Sequence, residues 1–302
     1  MLITFITAVG NRKAYKDFDR VENYLKLTIE SLRAQSGGSF KVIVVTNELP
    51  TFDPNGELCE YCLVDFPPPE RNKKIESFSD EQYRIFMRDK GVRLTAGLLF
   101  AQKFNPDYVY FLDCDDWLST RISSFIEKDN DAADIYVGAK GYFLNISDKR
   151  IKRKDGLVRF CGSTIAYKNE ILFDLEPSLS FLSENNSKDE ILDNCSNFFI
   201  ERIMGNHTDW LRLADEKGYT VKEFPFFTTC WILGTGNNVS ESDKGQLGLP
   251  IKLNVLETFG MSREFENTEK ATLKEYLFET LSYLKSKREW KESKRKGVFV
   301  YK

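Results

Sequence analysis

Nowhere in the 302 residues does an apolar run approach the ~20 residues that would span a bilayer. The opening segment MLITFITAVG is apolar, but it is short and no basic residues precede it. It reads as a buried strand and not as an export signal, so a cytoplasmic location is expected. Without export, the sequons Asn145-Ile-Ser147 and Asn238-Val-Ser240 meet no glycosylation machinery and are expected to be accidental. Cysteine is sparse, with six residues at scattered positions, which suits reduced thiols. Cys59-Glu-Tyr-Cys62 lacks the second pair that a zinc site needs. It lies in LCEYCLVDF, a strand-like run in which positions 59 and 62 point to opposite faces, so two structural thiols are expected. The formal net charge is only −3, and nothing in that balance points to nucleic acid. Internal repeats and low-complexity linkers are also missing.

What remains describes an ordinary globular chain with a sizeable core: 41% hydrophobic, 29% charged and 14% aromatic residues. Its first half alternates strand-like and helix-like segments. ITFITAV (3–9) is a strand, and 18–35 a helix with Val21, Tyr24, Leu25, Thr28 and Leu32 on one face. FKVIVVT (40–46) and LCEYCLVDF (58–66) are further strands. Ser79-x-x-Gln82 is a capping box that opens a helix reaching about Phe104, with a break expected near Gly91. DYVYFLD (107–113) is the fourth strand. This order predicts an α/β fold, a mostly parallel sheet wound with helices, whose ligands bind beyond the carboxyl ends of the strands.

The second half is less regular. Residues 134–146 and 157–167 read as strands joined by the basic stretch Asp148 to Gly156. Helices are expected near 188–204 and 208–217, followed by the short strands TVKEF and FFTTCWI. A helix over 270–292 carries a stripe of Leu273, Leu277, Leu281 and Leu284, expected to dock on the body of the protein. We divide the chain into a ligand-binding half (1–130), a second half of the same domain (131–245) and a helical extension (246–302).

The chemistry concentrates in YVYFLDCDDWLS. Side chains alternate along an extended chain, so Asp113 and Asp115 point the same way, and Asp116 begins the turn. Three acids this close repel one another unless a cation neutralises them. Hard oxygen ligands select Mg²⁺ or Mn²⁺, which suits a nucleotide diphosphate whose phosphate oxygens the metal can bridge. The plainer alternative is that these acids merely cap the next helix.

From residue 3 to about 240 the sequence resembles the GT-A glycosyltransferases, especially the family 2 group. The likeness rests on Leu25–Gln35 (LKLTIESLRAQ), Val42–Asn47, Gly97-Leu-Leu-Phe-Ala101 and Phe111-Leu-Asp-Cys-Asp-Asp116. It implies a GT-A type fold with a smaller mixed acceptor-side region. It also implies metal-dependent, inverting transfer of a sugar from a nucleotide-diphosphate donor, a UDP-sugar first, to a glycan or lipid-linked acceptor. By the same resemblance, Asp113 touches the ribose or a metal-bound water, and Asp115 ligates Mn²⁺ or Mg²⁺. Asp116 holds the donor sugar or a second metal position. Ala8 to Asn11, including Gly10, and Thr46 to Glu48, including Asn47, hold the nucleoside. The family's Ala-Arg-Asn before the Gly-Leu is replaced by Leu94-Thr-Ala96. Arg93 and Lys90 are candidates for the lost positive charge, with solvated helix positions as the alternative.

The family also places a Glu-Asp pair before a helix matched here by Trp210-Leu-Arg-Leu-Ala214 and Gly218-Tyr219, and that pair is missing. Inverting transfer needs a general base, and Asp209 is the first choice. His207, the only histidine, is either a third metal ligand or the base itself. The plainer account makes it a loop residue beside a helix cap at Asn206 or Thr208. Gly234-Thr-Gly-Asn-Asn238 reads as a loop closing over the diphosphate or as a surface turn. Lys149 to Lys154 and the tail from Lys285 to Lys296 are basic. They are expected to be solvated, with peripheral contact at the inner face of the membrane as the alternative. Two rival functions stand beside the transferase: a GT-A-like sugar- or nucleotide-binding protein without catalysis, and a haloacid-dehalogenase-like phosphatase. The phosphatase would want its D-x-D on the first strand and Thr or Val where Trp117 stands. A nucleotidyltransferase would want more glycine than Ala8-Val-Gly-Asn-Arg12 provides.

Overall fold

A computed structural model of the chain describes residues 1–69, 80–207, 209–235 and 248–297. The strands, in chain order, are β1 (Leu2–Ala8), β2 (Ser39–Thr46), β3 (Glu60–Leu63), β4 (Tyr108–Asp113), β5 (Trp117–Leu118) and β6 (Ile135–Val137). Then come β7 (Lys140–Asn145), β8 (Arg150–Asp155), β9 (Ile165–Lys168), β10 (Val221–Glu223), β11 (Thr229–Leu233) and β12 (Leu249–Pro250). The helices are α1 (Phe18–Arg33), α2 (Asp80–Ala101), α3 (Ile122–Glu127), α4 (Asn169–Leu175), α5 (Lys188–Asn194), α6 (Trp210–Lys217), α7 (Leu253–Thr258) and α8 (Leu273–Lys296).

The main sheet has seven strands in the order β10-β6-β9-β4-β1-β2-β3. All its pairings are parallel except those of β9, which runs against both β4 and β6. The expected α/β architecture is therefore present. Alternation along β2 explains how both faces are covered. Ile43 and Val45 pack with Val92, Ala96 and Leu99 of α2. Val44 packs on the other side with Val21, Leu25 and Ile29 of α1. The second half of α2, from Gly91 to Ala101, is buried almost all round, and the helix runs through Gly91 without the expected break. Gly91 is there for close packing instead: a Cβ on it would lie 2.0 Å from the Ile200 carbonyl oxygen. Ser79, the expected cap, lies outside the described residues.

The second sheet has the order β12-β8-β7-β11-β5. Four expectations are corrected in this half of the chain. The run 134–146 is two strands in two sheets, because the chain turns at Gly138, where a Cβ would lie 2.2 Å from Thr228 Oγ1. The basic stretch expected as a connection is β8, and only Ile165–Lys168 of the run 157–167 is strand. The leucine stripe of α8 does not dock, since Leu273, Leu277, Leu281 and Leu284 face solvent. What fixes that helix is its other side, where Arg150 pairs with Glu275 and Arg153 with Glu279, and where Trp290 is buried. Charge pairing with β8 set the helix orientation, and leucine periodicity did not. No helix among the described residues is long and apolar enough to cross a membrane.

Candidate functional site

Strand order reverses at β1. From it the sheet continues through β2 and β3 on one side and through β4 on the other, which opens a crevice at the carboxyl ends of β1 and β4. Ala8 and Asp113 are partners at that edge. A cleft of 330 Å³ lies there, bounded by Ala8, Gly10 and Tyr15 from the β1 end, Lys90 and Arg93 from α2, and Asp113, Cys114 and Asp115 from the β4 end. Phe160, Cys161, Gly162, His207 and Trp231 complete the wall.

The three acids take three different places. Asp113 is about a third exposed, and its carboxylate pairs with the Lys90 ammonium. Its own N–H donates to Ser163 Oγ at 2.8 Å. Burial alone would lower Lys90, but the charge of Asp113 outweighs it and holds the ammonium above its ordinary value. Asp115 is half-buried and faces the cleft. Burial, with the charges of Asp116 and Asp113, pushes its carboxyl well above the ordinary range. A cation bound there would offset the repulsion from Asp116 and Asp113.

Asp116 is fully buried and does not line the cleft, so it does not reach a donor sugar. Its Oδ2 accepts from Ser163 Oγ at 2.6 Å and Cys161 Sγ at 3.3 Å, and its Oδ1 from the Ile232 N–H at 3.0 Å. It ties the turn after β4 to β11 and to the Cys161–Ser163 segment. Burial raises its carboxyl to about 7 against the pull of those bonds.

The expected nucleoside residues divide in two. Ala8, Gly10 and Arg93 line the cleft, and the Gly10 N–H donates to Tyr15 OH at 3.2 Å. Asn11 and Asn47 do not line it. Both donate from Nδ2 to the Phe66 carbonyl, at 3.1 and 3.0 Å. Arg93, only 1% exposed, bonds the Phe66 carbonyl at 3.4 Å, Asn47 Oδ1 at 2.9 Å and Asp89 Oδ2 at 3.0 Å. This stitching joins the ends of β1, β2 and β3 to α2, and its side chains are committed to the fold. Of the two candidate cations, Lys90 is the one that meets the acids.

His207 reaches the cleft on the turn after the π-helix Phe198–Met204, which packs on α2. A Cβ on Gly205 would lie 2.1 Å from the Met87 carbonyl, so glycine permits that approach. A Cβ on Gly162 would lie 3.5 Å from both His207 Nδ1 and Lys90 Nζ, and 3.7 Å from Asp113 Oδ2. The four converge on one spot. Burial, helped by Lys90, pulls the imidazole down to about 4, and its buried Nε2 has no hydrogen-bond partner among the described residues.

Asp209, expected as the base, is a correction. It is buried away from the cleft, with Oδ2 on Arg202 Nε at 2.6 Å and Oδ1 on Arg212 Nη2 at 3.3 Å. Its carbonyl accepts the first bond of α6, from Leu213 N–H at 2.9 Å. Thr208 and residues 236–238 of the glycine-rich loop lie outside the described residues.

No family model matches the chain. No curated protein matches it either. Among solved structures it is similar to TarS of S. aureus, at 12% identity and TM-score 0.36, covering 77% of this chain and 37% of that one. It is also similar to mannose-1-phosphate geranyltransferase of Thermus thermophilus, at 10% identity and TM-score 0.43, covering 75% and 74%. A third is the bifunctional IspDF of Campylobacter jejuni, at 10% identity and TM-score 0.35, covering 74% and 49%. The chain thus spans about a third of the length of the first of these. At TM-scores this low the likenesses decide nothing about chemistry, and the cleft has to be judged by its own residues.

Does the donor set fit a metal? No cluster of three or more His, Cys, Asp or Glu among the described residues is arranged to hold one. Asp113 and Asp115 nevertheless offer two carboxylates to one cleft, and hard divalent cations are commonly held by one or two carboxylates completed by substrate phosphates. The residues fit a cation whose coordination a bound diphosphate would finish. Cys161-Gly162-Ser163, Phe160 and Trp231 were not foreseen as site residues. The glycine inside an apparent strand was the one available signal, since it marks a close backbone approach.

Proposed function

We propose that this protein is a GT-A type glycosyltransferase that moves a sugar from a nucleoside-diphosphate donor, a UDP-sugar first, to an acceptor hydroxyl. The observation that carries the reading is the meeting of Asp113, Asp115, Lys90 and His207 in a cleft at the point where strand order reverses. A simple binding module has no need for that set, and a haloacid-dehalogenase-like phosphatase would carry its D-x-D on the first strand, whereas Asp113 ends β4.

Each group has a role in this reading. Asp113 and Asp115 hold Mn²⁺ or Mg²⁺. The cation, when bound, neutralises charge on the departing diphosphate. Lys90 supplies a fixed positive charge beside it, already oriented by Asp113. His207 is neutral at pH 7 and accepts the proton of the attacking hydroxyl through Nδ1, the nitrogen on the side of Gly162, Lys90 and Asp113. Asp116 positions Asp115 through its bonds to Ser163 and Ile232. Phe160 and Trp231 give the cleft an apolar wall that limits water.

The test is a hydrolysis and transfer assay against a panel of nucleotide sugars with Mn²⁺. Slow donor hydrolysis, lost in Asp115→Asn and reduced roughly 10²-fold or more in His207→Ala, is the expected result. Phosphate release from a simple ester would favour the phosphatase. Donor binding with no turnover of any kind would favour the binding protein.

A further inference from the structure

The outer face of α8 combines exposed leucines with a local excess of basic residues. Leu273, Leu277, Leu281 and Leu284 are 85%, 60%, 58% and 54% exposed, and Phe278 beside them is 55% exposed. Charge is sorted between the two sides of the same helix. Three of its acids, Glu275, Glu279 and Glu289, are held on the inner side, while Glu292 lies outward and pairs with Lys296. The other exposed charged residues on it are basic, among them Lys285, Arg288, Lys291 and Arg295. In a chain whose net charge is −3, that sorting is local. The helix cannot simply roll to hide the leucines. Arg150, Arg153 and Arg159 hold Glu275, Glu279 and Glu289 on the inner side, the last pair at 3.9 Å, and Trp290 is buried there.

We propose that this face docks on an anionic lipid surface, with the leucines entering the boundary between headgroups and acyl chains and the basic residues meeting lipid phosphates. A second copy of the chain fits less well. Parallel pairing of two such faces would set like charges together, and antiparallel pairing would lay cations across leucines. The inner side of α8 lies near the cleft wall, since Arg159, which donates to Ser293 Oγ at 3.0 Å, directly precedes cleft-lining Phe160. The inference is independent of sugar transfer, and its test uses no nucleotide.

Flotation of the full chain with vesicles is the experiment. Recovery with phosphatidylglycerol/phosphatidylcholine vesicles, weakening with salt and absent with phosphatidylcholine alone, is expected. Leu277→Asp/Leu281→Asp should abolish recovery without moving the unfolding midpoint, because both positions are exposed. Lys291→Glu/Arg295→Glu keeps the leucines and should weaken binding by about tenfold or more. If the first variant fails to fold, the second decides. Failure of the native chain to bind anionic vesicles overturns the proposal, as does undiminished binding by Lys291→Glu/Arg295→Glu. A native dimer made monomeric by Leu277→Asp/Leu281→Asp, with no vesicle binding, assigns the face to a second copy.

Discussion

Replacing Asp116 by alanine should damage the fold before it damages any ligand site. The carboxylate accepts from the Ile232 N–H, Ser163 Oγ and Cys161 Sγ in a fully buried position. Each buried donor left without an acceptor costs about 1–3 kcal/mol, and a thiol less, so the loss at low pH should be about 3–5 kcal/mol. The loss should also depend on pH with a definite sign. A carboxyl raised from 3.8 to about 7 binds its proton more tightly in the folded state. Its contribution is therefore complete below 3.8 and is lost as pH rises through 7. The variant's deficit should be larger near pH 5 than near pH 8. Urea unfolding in chelator, so that no cation alters the charge beside Asp116, reads this as a drop in midpoint at constant slope. An unchanged midpoint with lost nucleotide binding would show that Asp116 is a ligand after all. A deficit that grows from pH 5 to pH 8 would refute the electrostatic reasoning.

Three further outcomes are expected. Gly91→Ala would drive a Cβ to 2.0 Å from the Ile200 carbonyl, and should cost at least about 1–3 kcal/mol in thermal unfolding. Arg93→Lys cannot reach Asn47, Phe66 and Asp89 together, so it should destabilise by about 2 kcal/mol or more and loosen the β1–β2 end. His207 is depressed from 6.5 to about 4, so the folded state holds fewer protons between those values and stability should fall as pH falls through that window. In chelator the effect is at most about 3 kcal/mol, and His207→Gln should flatten that part of the pH–stability profile.

How much of this was legible in the sequence depends on whether neighbours along the chain or neighbours in space decide the matter. Apolar runs such as 40–46 announced their strands, because burial on both faces leaves a continuous β-branched signal. The acids after β4 announced a cleft, because a hydrophobic strand ending in Asp113 places charge at a sheet edge. Long-range pairing was invisible. Leucine spacing on α8 predicted a buried stripe, but the orientation was set by Arg–Glu pairs to a strand more than a hundred residues earlier. Asp209 looked like a base from its place before a helix, yet Arg202 and Arg212 occupy it. Asp116 and Asp115 are adjacent in sequence and opposite in role, since Asp115 faces the cleft and Asp116 the second sheet. Alternation alone could not tell which sheet would fold over them.

The central claim is that Asp113 and Asp115 form a cation site that a nucleoside diphosphate completes. Thermal shift with UDP, with and without Mn²⁺, tests it most directly. A ligand that binds only the folded state stabilises it by about 2.7 kcal/mol at a hundredfold excess over Kd. Stabilisation should appear only with the metal present and vanish in Asp115→Asn. Equal shifts with and without Mn²⁺, or an undiminished metal-dependent shift in Asp115→Asn, would contradict the account.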